Sequence, residues 1–372
     1  MAPRSTLLIQ RGLALLAAAG LVGDEPPLRF SPAPGQVLAK HYKLQRTIEL
    51  DDLQWTVGGE DLLTILGTPE ILIDSVSEFT FVDEYVDVKD GRPRDFVREF
   101  PVANSDSEYG FVVQGLSETV SYRYHMPIKD HRVVFRYDEQ TGEYEREFDP
   151  ATPGPNELLH GLEEETGLRA ALPPGTVTEG DSWEVSNRFL LQLISPGGYL
   201  GFDPEGLSLE AAGEQQLDEF RAVLGSVIGN GMGLYSKLLP GDSRAVHAGV
   251  IERRGRPVTR IRVDVEVESG RDLVAPFEQA LNTALHSSSS KDLPANFSLD
   301  LERADLEYSI FGEVTVYWDH ELGLLAGADA TLDWEAEFAI EMVVGLKDES
   351  LEVEAVASFS IPHEIVVRTA QE

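Results

Sequence analysis

Cysteine is absent from the 372 residues of this sequence. This absence excludes disulfide bonds and a lipid-modified cysteine. It also removes the commonest ligands of structural zinc sites, and the eight histidines are scattered along the chain. No metal site is therefore predicted from cysteine and histidine.

Basic residues are scarce as well. The chain holds 30 lysines and arginines against 65 aspartates and glutamates, a net charge of −35, and the acids are spread along its length. A surface of this sign repels nucleic acid and anionic lipid headgroups, so we expect no nucleic-acid partner. The same balance favours solubility and loose association with divalent cations, and a saline habitat would fit it too.

Long apolar runs are lacking after the N-terminus. Arg4 and Arg11 precede an apolar run at 12–22, which is followed by the acidic, proline-rich stretch 24–27. This order is typical of a secretory signal peptide, and the run is too short to span a bilayer. We expect residues 1–23 to be removed, and the loss of two arginines takes the charge from −35 to −37. The sequence thus predicts a protein exported to the periplasm or the exterior of a bacterium, with no transmembrane segment in the mature chain.

Signatures of catalysis are missing too. The sequence has no Gly-x-Ser-x-Gly elbow, no Walker loop and no His-Glu-x-x-His motif. The glycine-rich stretch 229–233 lacks the spacing of a dinucleotide site and is predicted to be a loop. Asn104, Asp106 and Glu108 alternate as calcium ligands do, but position twelve would be Gly115. A solvated loop is favoured there over a weak cation site, and no cofactor or catalytic residue is predicted.

Two Gly-Asp-Ser triplets, at 180–182 and 241–243, could be either nucleophilic serines or turns. A lipase-type serine needs a base held by a carboxylate, and in that family the base lies in an Asp-x-x-His motif. None of the eight histidines has an aspartate three positions before it. We predict that both triplets are turns and that Trp183 is a core anchor just past the first one.

Most of the remaining sequence alternates apolar and polar residues with period two, which is typical of antiparallel strands with one buried face. The clearest examples are 71–88, 118–125, 258–268, 307–318 and 351–359. Two Gly-Arg-Pro turns, at Gly91 and Gly255, predict tight hairpins. Two Asp-x-x-x-Gly loops, starting at Asp138 and Asp319, predict longer hairpins closed by a left-handed glycine.

These two turn types recur in the same order, which indicates either chance or two related halves. The predicted fold is mainly β (α+β), with antiparallel, curved sheets in two halves and two or three helices packed on them. The predicted helices are 156–170, 207–228 and 272–285, and a flexible loop is predicted at 287–296. The predicted divisions are the signal peptide, a β-rich half at 28–200, a helical insertion at 201–242 and a second β-rich half at 243–372.

The candidate ligand-binding residues are Trp318 and Trp334, each followed by an acid. A carbohydrate-active protein needs aromatic platforms and, for hydrolysis, two carboxylates about 5–9 Å apart. Tryptophans buried beside an apolar hollow would instead favour a carrier of apolar ligands. Both alternatives stay open on the sequence alone.

The segment 157–185, ELLHGLEEETGLRAALPPGTVTEGDSWEV, resembles a motif of uncharacterised, exported, β-rich bacterial proteins. In these proteins a short helix leads to Leu-Pro, a valine and then Gly-Asp-Ser/Thr-Trp at the start of a strand, and the hairpins resemble the Gly-Arg-Pro turns here. The resemblance brings no functional residues with it. The expected architecture is also similar to that of periplasmic lipoprotein carriers, where a curved sheet surrounds an apolar hollow, but fold does not fix function.

The function expected from the sequence is that of an exported, soluble, non-catalytic cell-envelope protein that binds an apolar ligand or a protein partner. The alternative is a carbohydrate-active enzyme or a sugar-binding module. A purely structural envelope protein would show neither an apolar hollow nor an exposed aromatic cleft.

Overall fold

The computed structural model describes residues 28–113, 116–198, 200, 239–275, 278, 297–346 and 349–371. Several sequence predictions lie outside these residues: the signal peptide 1–23, the helix 207–228, the glycine-rich loop 229–233 and the loop 287–296. Most of the helix predicted at 272–285 lies outside them as well.

Thirteen antiparallel strands form one sheet in the described part of the chain. They are β1 Gln36–Val57, β2 Glu60–Asp61, β3 Glu70–Lys89, β4 Arg92–Val113, β5 Leu116–His125, β6 Arg132–Tyr137, β7 Tyr144–Phe148, β8 Ser182–Ser186, β9 Asp242–Arg253, β10 Arg256–Asp272, β11 Phe297–Asp319, β12 Leu324–Leu346 and β13 Glu349–Gln371. The other elements are α1 Leu63–Leu66, α2 Leu191–Ile194 and three 3₁₀ turns, Asn156–Leu159, Arg169–Ala171 and Asn187–Leu190. The prediction of a mainly β, antiparallel protein is confirmed.

The strand order is β7-β6-β4-β3-β1-β13-β12-β11-β10-β9-β8, with β2 paired to β1 and β5 paired to β4. The sheet is open, because β7 and β8 end this order. The first strand pairs with the last along most of its length, from Leu38 opposite Gln371 to Val57 opposite Val353. The N-terminal and C-terminal strands thus belong to one continuous sheet, and the prediction of two related halves is not confirmed.

The four predicted hairpins are confirmed. Asp90 and Gly91 connect β3 to β4, and Arg254 and Gly255 connect β9 to β10, all with positive φ. Positive φ at both positions gives the tight turn whose twist matches the strands it joins. In the loop after β6, the Asp138 carboxylate accepts from the Gln140 amide at 2.8 Å, while Gly142 has φ 76°. The Asp319 loop repeats this arrangement, with the Leu322 amide donating to Asp319 at 3.0 Å.

The inner face of the sheet is the one that carries Leu38, Tyr42 and Phe81, all buried in the main core. The segments before and after β8, residues 149–181 and 187–198, pack against one part of it, which we call the covered half. The hydroxyl of Tyr42 donates to the carbonyl of Thr166 at 2.5 Å, and Gly197 lies so close to Phe81 that a Cβ would sit 2.8 Å from the ring. These contacts fix the two segments to the strands beneath them.

The helix predicted at 156–170 is wrong. The structure has a 3₁₀ turn at each end of this stretch, and Leu168 adopts a left-handed conformation with φ 54°. The carbonyls of Glu163 and Glu164 accept hydrogen bonds from the Arg98 guanidinium at 2.7 and 2.6 Å. Since these bonds to the sheet replace intrahelical ones, the leucines of this stretch reach the core without a continuous helix.

Candidate binding surface

A cluster of charged side chains is buried in the covered half. Arg98 donates to both carboxylate oxygens of Asp83, at 2.7 and 3.0 Å, and Lys40 donates to Asp83 and to the Thr166 hydroxyl. The Arg98 guanidinium also donates to that hydroxyl at 3.0 Å. Two cations therefore share one carboxylate in the core.

Burial lowers the pKa of Lys40 to about 8, and the positive charge of Arg98 adds to this effect against the attraction of Asp83. Burial alone would raise the pKa of Asp83, but Arg98 and Lys40 outweigh it and lower that pKa to about 2. Shifted pKa values often mark active sites. Here, however, the three side chains are essentially inaccessible to solvent and are bonded to one another and to the 163–166 segment. The cluster therefore anchors that segment rather than meeting a ligand.

The Gly-Asp-Ser triplets are turns that lead into β8 and β9, as predicted. Gly180 and Gly241 have φ 92° and 79°. Ser182 is exposed and accepts from Arg244 at 3.0 Å, whereas Ser243 is buried and donates to the Asn187 side chain. Trp183 is buried, as predicted, and its indole donates to the Ala171 carbonyl at 3.1 Å. Neither serine has an imidazole as its hydrogen-bond partner among these contacts.

The two candidate tryptophans lie on the inner face in different surroundings. Trp318 is fully buried, at 0% exposure, and Asp319 beside it closes the hairpin loop. Trp334 is half-buried and packs against Tyr308 and His363, with ring centroids 5.7 and 6.0 Å apart. By strand alternation, Glu335 points to the opposite face. These positions do not form a cleft with paired carboxylates, so they give no support to the sugar-binding alternative.

The calcium-like pattern at Asn104, Asp106 and Glu108 lies on strand β4, not in the solvated loop that the sequence favours. Its alternation is that of one strand face, and Asp106 forms a two-pronged ion pair with Arg123, at 2.6 and 3.0 Å. Within the described ranges no group of three or more histidines and acids is arranged to hold a metal ion. Those ranges also contain no helix that is both long and apolar enough to cross a membrane.

Beyond the covered half, the inner face continues as a surface of apolar and aromatic side chains, which we call the apolar half. It comprises the inward positions of 48–57 on β1, 71–73 on β3, 301–310 on β11, 334–342 on β12 and 353–361 on β13. Most of these side chains are half-buried, and Trp55 is 37% exposed. On β4, opposite Ile71, Phe111 adds a ring that is 38% exposed. Leu273 and Val274 pack on the β11–β12 side.

The opposite face of the same strands is acidic. Glu307 lies directly opposite Glu337, and Glu341 lies opposite Glu354. Arg303 relieves part of this repulsion through bonds to Asp305 at 2.6 Å and to Glu341 at 2.9 Å. The long strands are therefore amphipathic, with the negative charges on the face that points away from the apolar half.

A row of residues, one per strand, separates the covered half from the apolar half, and we call it the boundary row. It runs Val265, Gly312, Leu332, His363, Arg46, Ser75 and Ser107 from β10 to β4. Gly312 is required here, because a Cβ would lie 2.1 Å from the Thr331 carbonyl oxygen. Arg46 is exposed, between His363 at 7% and Ser75 at 3% exposure.

His363 is held as a neutral ring in this row. Burial lowers its pKa to about 4, the hydrogen bond to Ile361 opposes that effect, and the charge of Arg46 adds to it. The distance from Nδ1 to the Ile361 carbonyl is 2.8 Å, so Nδ1 carries the proton that is donated. The inward positions of Lys40, Asp83, Arg98, Arg46 and His363 were not singled out from the sequence. The sequence feature that could have identified them is a charged or polar residue at a position where the period-two alternation of the strand calls for an apolar one.

No known protein family and no curated protein matches the sequence. Among solved structures, one match is Pseudomonas aeruginosa OccK7 (OpdD), with 5% identity over 90% of this chain and 99% of that chain, at a TM-score of 0.20. Another is Pseudomonas aeruginosa OpdK with vanillate, with 8% identity, the same coverage and a TM-score of 0.10. Similarities this low carry no argument about fold or function, and what the chain binds is argued from its own residues.

Proposed function

We propose that this protein is an exported, non-catalytic cell-envelope protein that binds an apolar ligand on the apolar half. The observation that carries the proposal is the continuous apolar surface formed by five neighbouring strands. Trp55 on this surface and Phe111 on the adjoining β4 are each more than a third exposed. A partly accessible apolar surface of this extent on a protein marks an interaction site. Each methylene of a ligand buried there contributes about 0.8 kcal/mol.

The charge distribution supports a small ligand over a membrane surface. The apolar half has acids on the reverse face of its strands, and the whole chain carries −35. Docking on an anionic bilayer would bring these charges against headgroups of the same sign. A ligand that leaves the bilayer and lies along the strands avoids this cost. Export is supported by the N-terminal sequence pattern alone.

A charge placed on the apolar half is expected to abolish most of the binding. In Leu53→Asp the half-buried leucine opposite Ala357 on β13 becomes a carboxylate that the ligand would have to desolvate. We expect the affinity for the neutral fluorophore phenylnaphthylamine to fall by about tenfold or more, measured by its fluorescence increase on binding.

The matched control is Gln54→Asp, which adds the same charge at the next residue, on the exposed opposite face. This variant is expected to bind phenylnaphthylamine as the unmodified protein does. An unmodified protein that gives no fluorescence increase, or two variants that weaken binding equally, would contradict the proposal.

A further inference from the structure

Arg46 is an exposed cation at the edge of the apolar half. It occupies the boundary row between Leu44, which is in the core, and Ile48, which begins the apolar half. Its guanidinium forms no ion pair and no hydrogen bond with another described residue. Its nearest inward neighbours across the strands are His363 and Ser75, and neither is an acid.

This isolation contrasts with other arginines of the sheet. Arg123 is paired with Asp106 at 2.6 Å, and Arg368 is paired with Asp329 at 2.6 Å. With 65 acids and 30 basic residues, a partner is available to most cations. On the five strands of the apolar half the inward side chains are all uncharged. The inward Arg271 on β10, opposite Leu306 and four strands away from Arg46, is itself a cation. None of these side chains supplies a negative charge to the Arg46 guanidinium.

The site offers a single positive charge. His363 is next to Arg46, but the lowered pKa of its ring keeps it neutral at neutral pH. One guanidinium without a second cation balances one negative charge. Its planar donors also match the two oxygens of a carboxylate, which it can bind through two parallel hydrogen bonds.

The dimensions fit an acyl chain. The inward residues of β1 extend from Arg46 to Val57, which corresponds to roughly 30 Å or more of strand. One acyl chain spans about half of the roughly 30 Å hydrocarbon core of a bilayer. An amphiphile whose headgroup binds Arg46 therefore has room to lie on the apolar half.

We propose that the protein binds a long-chain fatty acid, with the carboxylate on Arg46 and the alkyl chain along the apolar half. This inference rests on the proposed function, because it assigns the ligand class of the same surface. A fatty acid is favoured over a lipid phosphate monoester, whose headgroup carries about 1.5 to 2 negative charges at neutral pH, because the boundary row provides one cation and not two.

The test compares three ligands with the same 18-carbon chain: oleate, oleyl alcohol and oleyl phosphate. Calorimetric titration is done on the full chain after extraction of co-purified lipid, with each ligand below its micellar concentration. We expect Arg46→Gln to weaken oleate binding by roughly 10- to 100-fold. Oleyl alcohol binding is expected to change less than about twofold, because it places no charge at the site. Arg46→Lys is expected to recover part of the oleate affinity.

The matched control is Lys43→Gln, which removes one positive charge from an exposed position on the opposite face of the same strand. It is expected to leave all three affinities unchanged. Equal weakening of oleate and oleyl alcohol by Arg46→Gln, or no weakening of either, would overturn the assignment of Arg46. Tighter binding of oleyl phosphate than of oleate would overturn the choice of a carboxylate. Failure of the unmodified protein to bind even oleyl alcohol would refute the proposed function itself.

Discussion

The variant Asp83→Asn is expected to lose about 3–5 kcal/mol of its free energy of unfolding. Asp83 is the carboxylate that Lys40 and Arg98 share, and both cations are fully buried. Removing its charge leaves two buried cations without a counter-ion, and this is the costly way to disrupt a buried ion pair. The loss is measured as a shift in the urea midpoint followed by tryptophan fluorescence.

The cluster also binds the backbone of the 163–166 segment, because the carbonyls of Glu163 and Glu164 accept hydrogen bonds from Arg98. Arg98 holds them on the sheet, so the asparagine variant is also expected to loosen the 163–166 segment. The substitution should speed amide hydrogen exchange in this segment more than it does at the β3–β4 turn. Asp87→Asn is the matched control, because Asp87 is an exposed acid on the same strand. A loss at Asp83 no larger than at Asp87 would show that the cluster does not hold the segment.

The turns of this fold follow from local chemistry and could be predicted from the sequence. Asp90-Gly91 and Arg254-Gly255 place glycine where φ is positive, and Asp138 and Asp319 provide the carboxylates that bind loop amides. The strands follow from period-two alternation over many residues. Both signals act within a few residues of the chain, so they do not depend on the rest of the fold.

The joining of β1 to β13 could not be predicted in this way. Leu38 and Gln371 are at opposite ends of the described chain, and nothing in either segment specifies the other as its partner. The helix predicted at 156–170 was wrong for a related reason, because Arg98, distant in sequence, takes up the carbonyls of Glu163 and Glu164. Long-range contacts decide both features.

The candidate site was partly visible in the sequence. Lys40 and Arg46 both interrupt the apolar side of β1, six residues apart, and the pattern is the same at both positions. Only the register distinguishes their roles. Lys40 lies opposite Phe81, beside Asp83 and beneath the 163–166 segment, whereas Arg46 lies opposite His363 and Ser75 with no acid at hand. Trp318 and Trp334 were singled out by residue type, and the structure places one in the core and the other beside His363.

Loss of stability in weak acid is the second large effect that we expect, and it comes from His363. Its pKa in the folded protein is about 4, below the ordinary value of 6.5, so the unfolded chain binds a proton that the folded chain does not. The contribution is fully present above pH 6.5 and is lost progressively as the pH falls from about 6.5 to about 4. At about 1.4 kcal/mol for each pH unit, the total reaches about 3 kcal/mol.

Protonation of the many surface acids changes stability over part of the same pH range, so the effect of His363 has to be measured as a difference. The free energy of unfolding is determined by urea titration at several pH values between about 7.5 and 4.5, for the unmodified protein and for His363→Gln. The unmodified protein is expected to lose about 2–3 kcal/mol more than the variant over this range, because glutamine takes up no proton beside Arg46. His160→Gln is the control, since His160 is exposed and its ring meets solvent in both states. If the free energy of unfolding depends on pH in the same way for the unmodified protein and for His363→Gln, the ring is protonated as easily in the boundary row as in water. The assignment of a single positive charge to that row would then be wrong.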